Sequence, residues 1–243
     1  GPFLTGLLVY AIGWRPAMML LAVPGFLLAV MLSRSIRTER RSEESAQPEK
    51  SKFGFRDLKA YAPAMIFIIA AFIYVFGLRG MDNIANEYFR IGRGIGIIEA
   101  SLLFSMLKVA GLFSAPICGR LSDKFGRKTV LITLVFVESL SLFAITFSPD
   151  WLLAVPCIAF GFASFGLLAV GEALLVDVTP EKWRPTIFGI NLTVSFSPQI
   201  FLVPLLFGLA ETAGFASGLL LLSALMPLSI PLLLVIKTKP PWR

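Results

Sequence analysis

Histidine is absent from the 243 residues. That removes the usual general base, the usual zinc ligand and every Ser-His or Cys-His nucleophile pair. Cysteine is scarce: Cys118 and Cys157 each lie inside an apolar segment with no partner at metal-ligand spacing, and both read as packing residues. The glycine-rich stretch 92–96 follows no strand, so it does not make a phosphate loop. No enzyme chemistry, metal site or cofactor is expected. Acidic residues are outnumbered, 15 against 22 Lys and Arg, yet the basic side chains sit between apolar runs rather than along one amphipathic face. Nucleic acid is therefore not an expected partner.

Long apolar runs are what the chain has in abundance. Hydrophobic residues make up 56% of it, more than a soluble core of this size needs, and the charges are bunched between runs of membrane-spanning length. Residues 1–12 are too short to span and read as the tail of a helix, residues 13–15 turn, and 16–32 run back at the short end of the spanning range. Residues 33–60 mix both charges with Ser, Gln and Pro, as a solvated linker does, with a short surface helix expected at 53–59. Six further spans are expected at 62–89, 95–118, 129–147, 151–176, 186–209 and 215–236. Prolines inside them, Pro116, Pro156, Pro198, Pro204, Pro227 and Pro231, supply kinks that neighbouring helices tolerate.

Alternate loops differ sharply in charge. Seventeen Lys and Arg fall on the side of the linker, 119–128, 177–185 and the C-terminal tail, against Arg15, Arg79, Arg90 and Arg93 opposite. The positive-inside rule places the linker and the C-terminus in the cytoplasm of a multi-pass cell-membrane protein. A seven-span receptor or retinal protein does not fit, since the last span has neither an Asn-Pro-x-x-Tyr end nor a Lys for a Schiff base.

The segment Gly119-Arg-Leu-Ser-Asp123-Lys-Phe-Gly126-Arg127-Lys128 is expected as a tight cytoplasmic turn, with Gly126 supplying left-handed backbone and Arg127 and Lys128 holding it outside the bilayer. It resembles the G-x-x-x-D-x-x-G-R-K signature of the major facilitator superfamily, which joins the second and third helices of each six-helix half. The stretch from Asp177 through Pro180 and Arg184 to Gly189 resembles the connection between that family's tenth and eleventh helices. The resemblance implies an all-α transmembrane bundle. Residues 1–32 would then be the end of the fifth helix and the sixth, 33–60 the central linker and 61–243 the C-terminal six-helix bundle, with the first four helices missing. It also implies that Gly119, Asp123, Gly126, Arg127, Lys128, Asp177 and Arg184 form a conformational latch. Gly1, Pro2 and Gly6 resemble the end of the G-P-x-x-G-G element of proton-coupled antiporters, with Thr5 where that pattern has Gly.

Polar residues inside the spans are the candidates for a solute and proton pathway, because an ionisable group in hydrocarbon is costly unless it faces a cavity or a partner. Arg79, Asp82, Asn83 and Asn86 recur at i, i+3, i+4 and i+7 and share a helix face. Either Arg79 and Asp82 form a structural pair, or the stripe lines a cavity. Lys108 and Glu138 fall at similar depth on adjacent antiparallel spans, where an ion pair is expected. Glu99 and Glu172 lie near opposite membrane edges as interfacial or gating residues. Asn191 and Gln199, with Ser195 and Ser197, suit either a pore lining or helix-to-helix packing. The expected function is secondary transport of a small solute by alternating access, with proton-coupled efflux favoured by the antiporter resemblance. Import of organic anions and a nontransporting sensor on the same scaffold are the alternatives.

Overall fold

The computed structural model describes residues 2–35 and 58–236. Gly1, most of the linker and the C-terminal tail lie outside these residues, as does the first part of the surface helix expected at 53–59. The described residues contain ten α-helices and no strand: α1 (Pro2–Ile12), α2 (Trp14–Ser35), α3 (Leu58–Glu87), α4 (Ile97–Phe125), α5 (Arg127–Phe147), α6 (Ala154–Val178), α7 (Arg184–Phe196), α8 (Gln199–Ala213), α9 (Phe215–Leu225) and α10 (Ser229–Val235). They build seven segments long and apolar enough to cross a membrane. Large exposed apolar side chains such as Met19, Phe26 and Leu112 face outward, as lipid contact requires.

Local chemistry decides where these helices stop. The 119–128 segment is not the ten-residue turn expected. Seven of its residues continue α4 to Phe125, and the reversal is made at Gly126 alone, with φ +92°. Ser122 sustains the extra turns by donating its hydroxyl to the Gly119 carbonyl at 2.7 Å, and Gly126 N–H closes on the Ser122 carbonyl at 2.9 Å. A side chain at this positive φ would be strained, which is why glycine ends the helix. The segment expected at 186–209 is interrupted between α7 and α8, where Ser197-Pro198 separates them. Proline lacks an N–H and its ring crowds the preceding turn. The last span breaks in the same way at Met226–Leu228, which contains Pro227. Pro24, Pro63, Pro116 and Pro204 stay within unbroken helices.

The core lies where α3, α4, α5 and α6 meet, around the fully buried Phe67, Met81, Leu107, Leu131, Leu142 and Phe160. Small residues let the backbones approach. A Cβ on Gly161 would overlap the backbone of Leu107, so α4 and α6 touch main chain to main chain there. Hydroxyls add cross-helix bonds, Ser139 to the Ser223 carbonyl at 2.6 Å and Ser114 to the Phe162 carbonyl. The N-terminal α1 lies against α4, with Gly6 opposite Ser101.

Candidate functional site

Regular α3 geometry keeps Arg79, Asp82, Asn83 and Asn86 on one face, but their partners differ from the simple stripe. Asp82 is ion-paired with Lys108 of α4, each side chain 27% exposed. The expected Lys108–Glu138 pair is therefore corrected. The Lys108 ammonium lies 5.1 Å from the Phe104 ring centre and 5.4 Å from that of Phe165, facing α3. Glu138 is wholly buried and makes no ion pair with Lys108: its Oε1 accepts the Ser164 hydroxyl at 2.6 Å. It lies beside Gly77 of α3, together with Met226: a Cβ on that glycine would sit 3.2 Å from Glu138 Oε1. Depth along the helices was legible in sequence, but rotation about them was not.

Arg79 makes no ion pair with Asp82 among the described residues. Its guanidinium carbon stacks 3.8 Å from the ring centre of Phe196, the last residue of α7, and its enclosed Nε has no hydrogen-bond partner. The Asn83 amide donates to the Arg79 carbonyl at 2.6 Å and so serves the helix backbone, while Asn86 is exposed. One helical turn below Arg79, Phe76 joins Phe72 and Phe201 in an aromatic cluster with ring centres 5.2 to 6.3 Å apart. Gln199 is half-buried at the start of α8. Charged groups surrounded by aromatic rings thus sit within the apolar spans, an arrangement suited to holding an organic solute.

Nearer the basic edge, buried Asn191 of α7 donates to Glu172 of α6 at 3.3 Å, and its own carbonyl oxygen lacks a partner. Further out, Arg127 at the start of α5 meets Asp177 at 2.6 Å, the Ala173 carbonyl at 2.7 Å and Asp123 at 3.8 Å. Both motifs therefore meet at one guanidinium. Arg184 lies apart from it, 3.9 Å from Glu181, and the space beside Gly119 is open. Lys128 donates to the Leu234 and Ile236 carbonyls at 2.6 and 2.9 Å, capping the end of α10 where a cation is favourable.

Sequence reasoning missed Arg93. It donates to Tyr88 Oη at 2.9 Å, to Asp150 at 3.1 Å and to the Ile145 and Thr146 carbonyls at 2.7 and 3.0 Å. It fastens the π-helical turn Tyr88–Gly92 at the C-terminal end of α3 to the α5–α6 connection. Phe104, Phe165 and Phe196 were also missed as site residues. Of these only Phe104, four residues before Lys108 on the same helix, left a signal in the sequence.

The sequence profile of the Major Facilitator Superfamily matches residues 83–243. The chain belongs to that superfamily. Its all-α, polytopic bundle is of the major facilitator type. Similar superfamily proteins include the multi-drug resistance efflux pump PmrA homolog of Lactococcus lactis, 31% identical over 56% of this chain and 35% of the relative. The class H tetracycline resistance protein of Pasteurella multocida is 34% identical over 44% of this chain and 27% of its own length. A Na(+), Li(+), K(+)/H(+) antiporter of Planococcus maritimus is 28% identical over 74% of this chain and 41% of its length. The chain thus spans less than half the length of these relatives.

Proposed function

We propose that this chain supplies the C-terminal six-helix bundle, the central linker and the end of the N-terminal bundle of a secondary active transporter. It would export a small solute in exchange for protons across the cell membrane. The domains run 1–32, 33–60 and 61–243, with the linker and C-terminus cytoplasmic as the basic loops suggest. The observation that carries this reading is the Asp82–Lys108 ion pair among Phe104 and Phe165 within the spans. Such a pair is costly to place in a membrane interior and is justified where charge is exchanged during a cycle. Names of relatives, efflux pumps and a cation/proton antiporter among them, favour export and proton exchange.

In this mechanism the two bundles rock about a central site. Asp82 is held by Lys108 when the site is empty, and releasing that pair by a proton or by solute changes the charge of the cavity. The Arg127–Asp177 contact holds α5 and α6 together at the cytoplasmic edge in the state described here and opens in the other. An N-terminal bundle would complete the pathway. Import of organic anions is the second reading, favoured by Arg79, whose enclosed Nε has no hydrogen-bond partner.

The test uses the full-length protein in everted vesicles with an acid interior, reading a pH-sensitive dye as tetracycline, ethidium or KCl is added. Solute-dependent collapse of the gradient, lost in D82N, is expected. No collapse with any of a broad solute panel, or full activity of D82N, would dismiss proton exchange at this pair.

A further inference from the structure

Arg79 is the charged side chain of this site that the ion-pair arrangement leaves over. Among the described residues its guanidinium makes neither a hydrogen bond nor an ion pair. Its Nε is shielded, and the neighbouring carboxylate of Asp82 is committed to Lys108. Glu138 is wholly buried with its Oε1 accepting the Ser164 hydroxyl, and it makes no ion pair with Arg79 among the described residues. Two cations, Arg79 of α3 and Lys108 of α4, thus neighbour Asp82, which pairs with Lys108. Arg79 is held over Phe196, its guanidinium carbon 3.8 Å from the ring centre, a contact that limits the freedom of its flexible stem. At the break after α7, the Ile200, Phe201 and Leu202 N–H groups already bond the Ser197 and Pro198 carbonyls.

A partly buried guanidinium held over a ring, with no hydrogen-bonded or ion-paired partner among the described residues, is a receptor for a planar oxyanion. What surrounds it sets the rest of the ligand. Phe196 is half-exposed, and Phe72 and Phe76 lie on the same α3 face as Arg79, with Phe201 against them. We infer that Arg79 is the recognition point for the carboxylate of an aromatic organic anion, whose ring packs on the Phe72, Phe76, Phe196 and Phe201 side chains. This rests on the transporter reading above and adds to it the charge and shape of the solute.

The probe is labelled 1-naphthoate, bound to the detergent-purified full-length protein and measured by equilibrium dialysis. The competitor is 1-naphthylmethylammonium, of the same shape and opposite charge. Saturable naphthoate binding is expected, displaced by unlabelled naphthoate and not by the cation. R79Q should weaken it by about tenfold or more, the loss of a charge-assisted bond. R79K, which keeps the charge without the planar fork, should bind between the two. Absence of saturable naphthoate binding in the wild type would overturn the assignment. So would equal displacement by the cation, unchanged binding in R79Q, or a well-folded R79K that binds no better than R79Q. Arg79-dependent binding with no gradient-driven flux of any solute would dismiss transport and leave this subsite standing. Gradient-driven flux without Arg79-dependent naphthoate binding would do the reverse.

Discussion

Glu138 and Ser164 face each other across the α5–α6 seam, the hydroxyl donating to Glu138 Oε1 at 2.6 Å with the carboxyl wholly buried. The same hydroxyl reaches the Phe160 carbonyl at 2.8 Å, so Ser164 stays satisfied if the carboxyl is removed. The cost of truncating Glu138 is therefore chiefly the space it leaves beside Gly77. E138A should destabilise the folded protein by about 2–3 kcal/mol, in the range of core cavities, whereas E138Q keeps both volume and acceptor and should lose under about 1 kcal/mol. Thermal unfolding of the purified full-length protein checks this. Equal losses in the two variants would mean that the carboxyl itself, rather than its volume, holds the seam.

The α4–α6 contact depends on absence of a side chain. At Gly161 an added Cβ would run into the main chain of Leu107, which cannot move aside as a flexible side chain could. At Gly189, on exposed α7, a Cβ meets open space. G161A should cost about 1–3 kcal/mol through overpacking, and G189A should be nearly neutral. Detergent unfolding temperatures of the two variants, measured side by side, give the comparison. Indistinguishable curves would show that α4 and α6 do not approach this closely.

These two sites show where sequence was informative. Span number and order followed from hydrophobic length, because a bilayer imposes its thickness on every crossing. Gly126 was legible as a turn, since only one backbone conformation is involved. The extent of α4 was not: charge and polarity at Arg120, Asp123 and Lys124 suggested a loop, but a helix leaving the membrane can carry charged residues without breaking. The partner of Lys108 was not legible either. Asp82 and Glu138 lie on different neighbours of α4, and the choice depends on how each helix is rotated, which few residues in an almost uniformly apolar segment specify. Arg93 stood in a glycine-rich connection and showed its role only when the α5–α6 turn was brought beside it.

At the basic edge of the bundle, Arg127 joins α5 to α6 through Asp177 and the Ala173 carbonyl. Farther in, Cys118 is buried beside Gly166, where a Cβ would lie 2.7 Å from the Cys118 sulfur. Loosening the helices from this basic end should therefore expose Cys118 of α4 before Cys157, which is buried near the start of α6. R127A and D177N are expected to raise maleimide labelling of Cys118 severalfold in full-length protein retaining only that cysteine. A protein retaining only Cys157 should change little. Unaltered Cys118 labelling in both variants would show that this contact does not hold the seam closed.

The Asp82–Lys108 pair gives the sharpest separation between structural and functional roles. Each member alone leaves the other's charge within the spans, so D82N and K108Q should each destabilise by about 2 kcal/mol or more, reduced by partial exposure from the 3–5 kcal/mol of a fully buried pair. The double variant D82N/K108Q removes both charges and should recover much of that loss, as replaced buried pairs commonly do. Recovery of stability carries no recovery of proton exchange, because a neutral pair has no charge to release. The swapped variant D82K/K108D keeps the pair but exchanges its positions beside Phe104 and Phe165. Unfolding temperatures and dye-monitored proton exchange, measured on all five proteins, distinguish the two roles. A double neutral variant that is stable and fully active would leave the pair a structural fastening only.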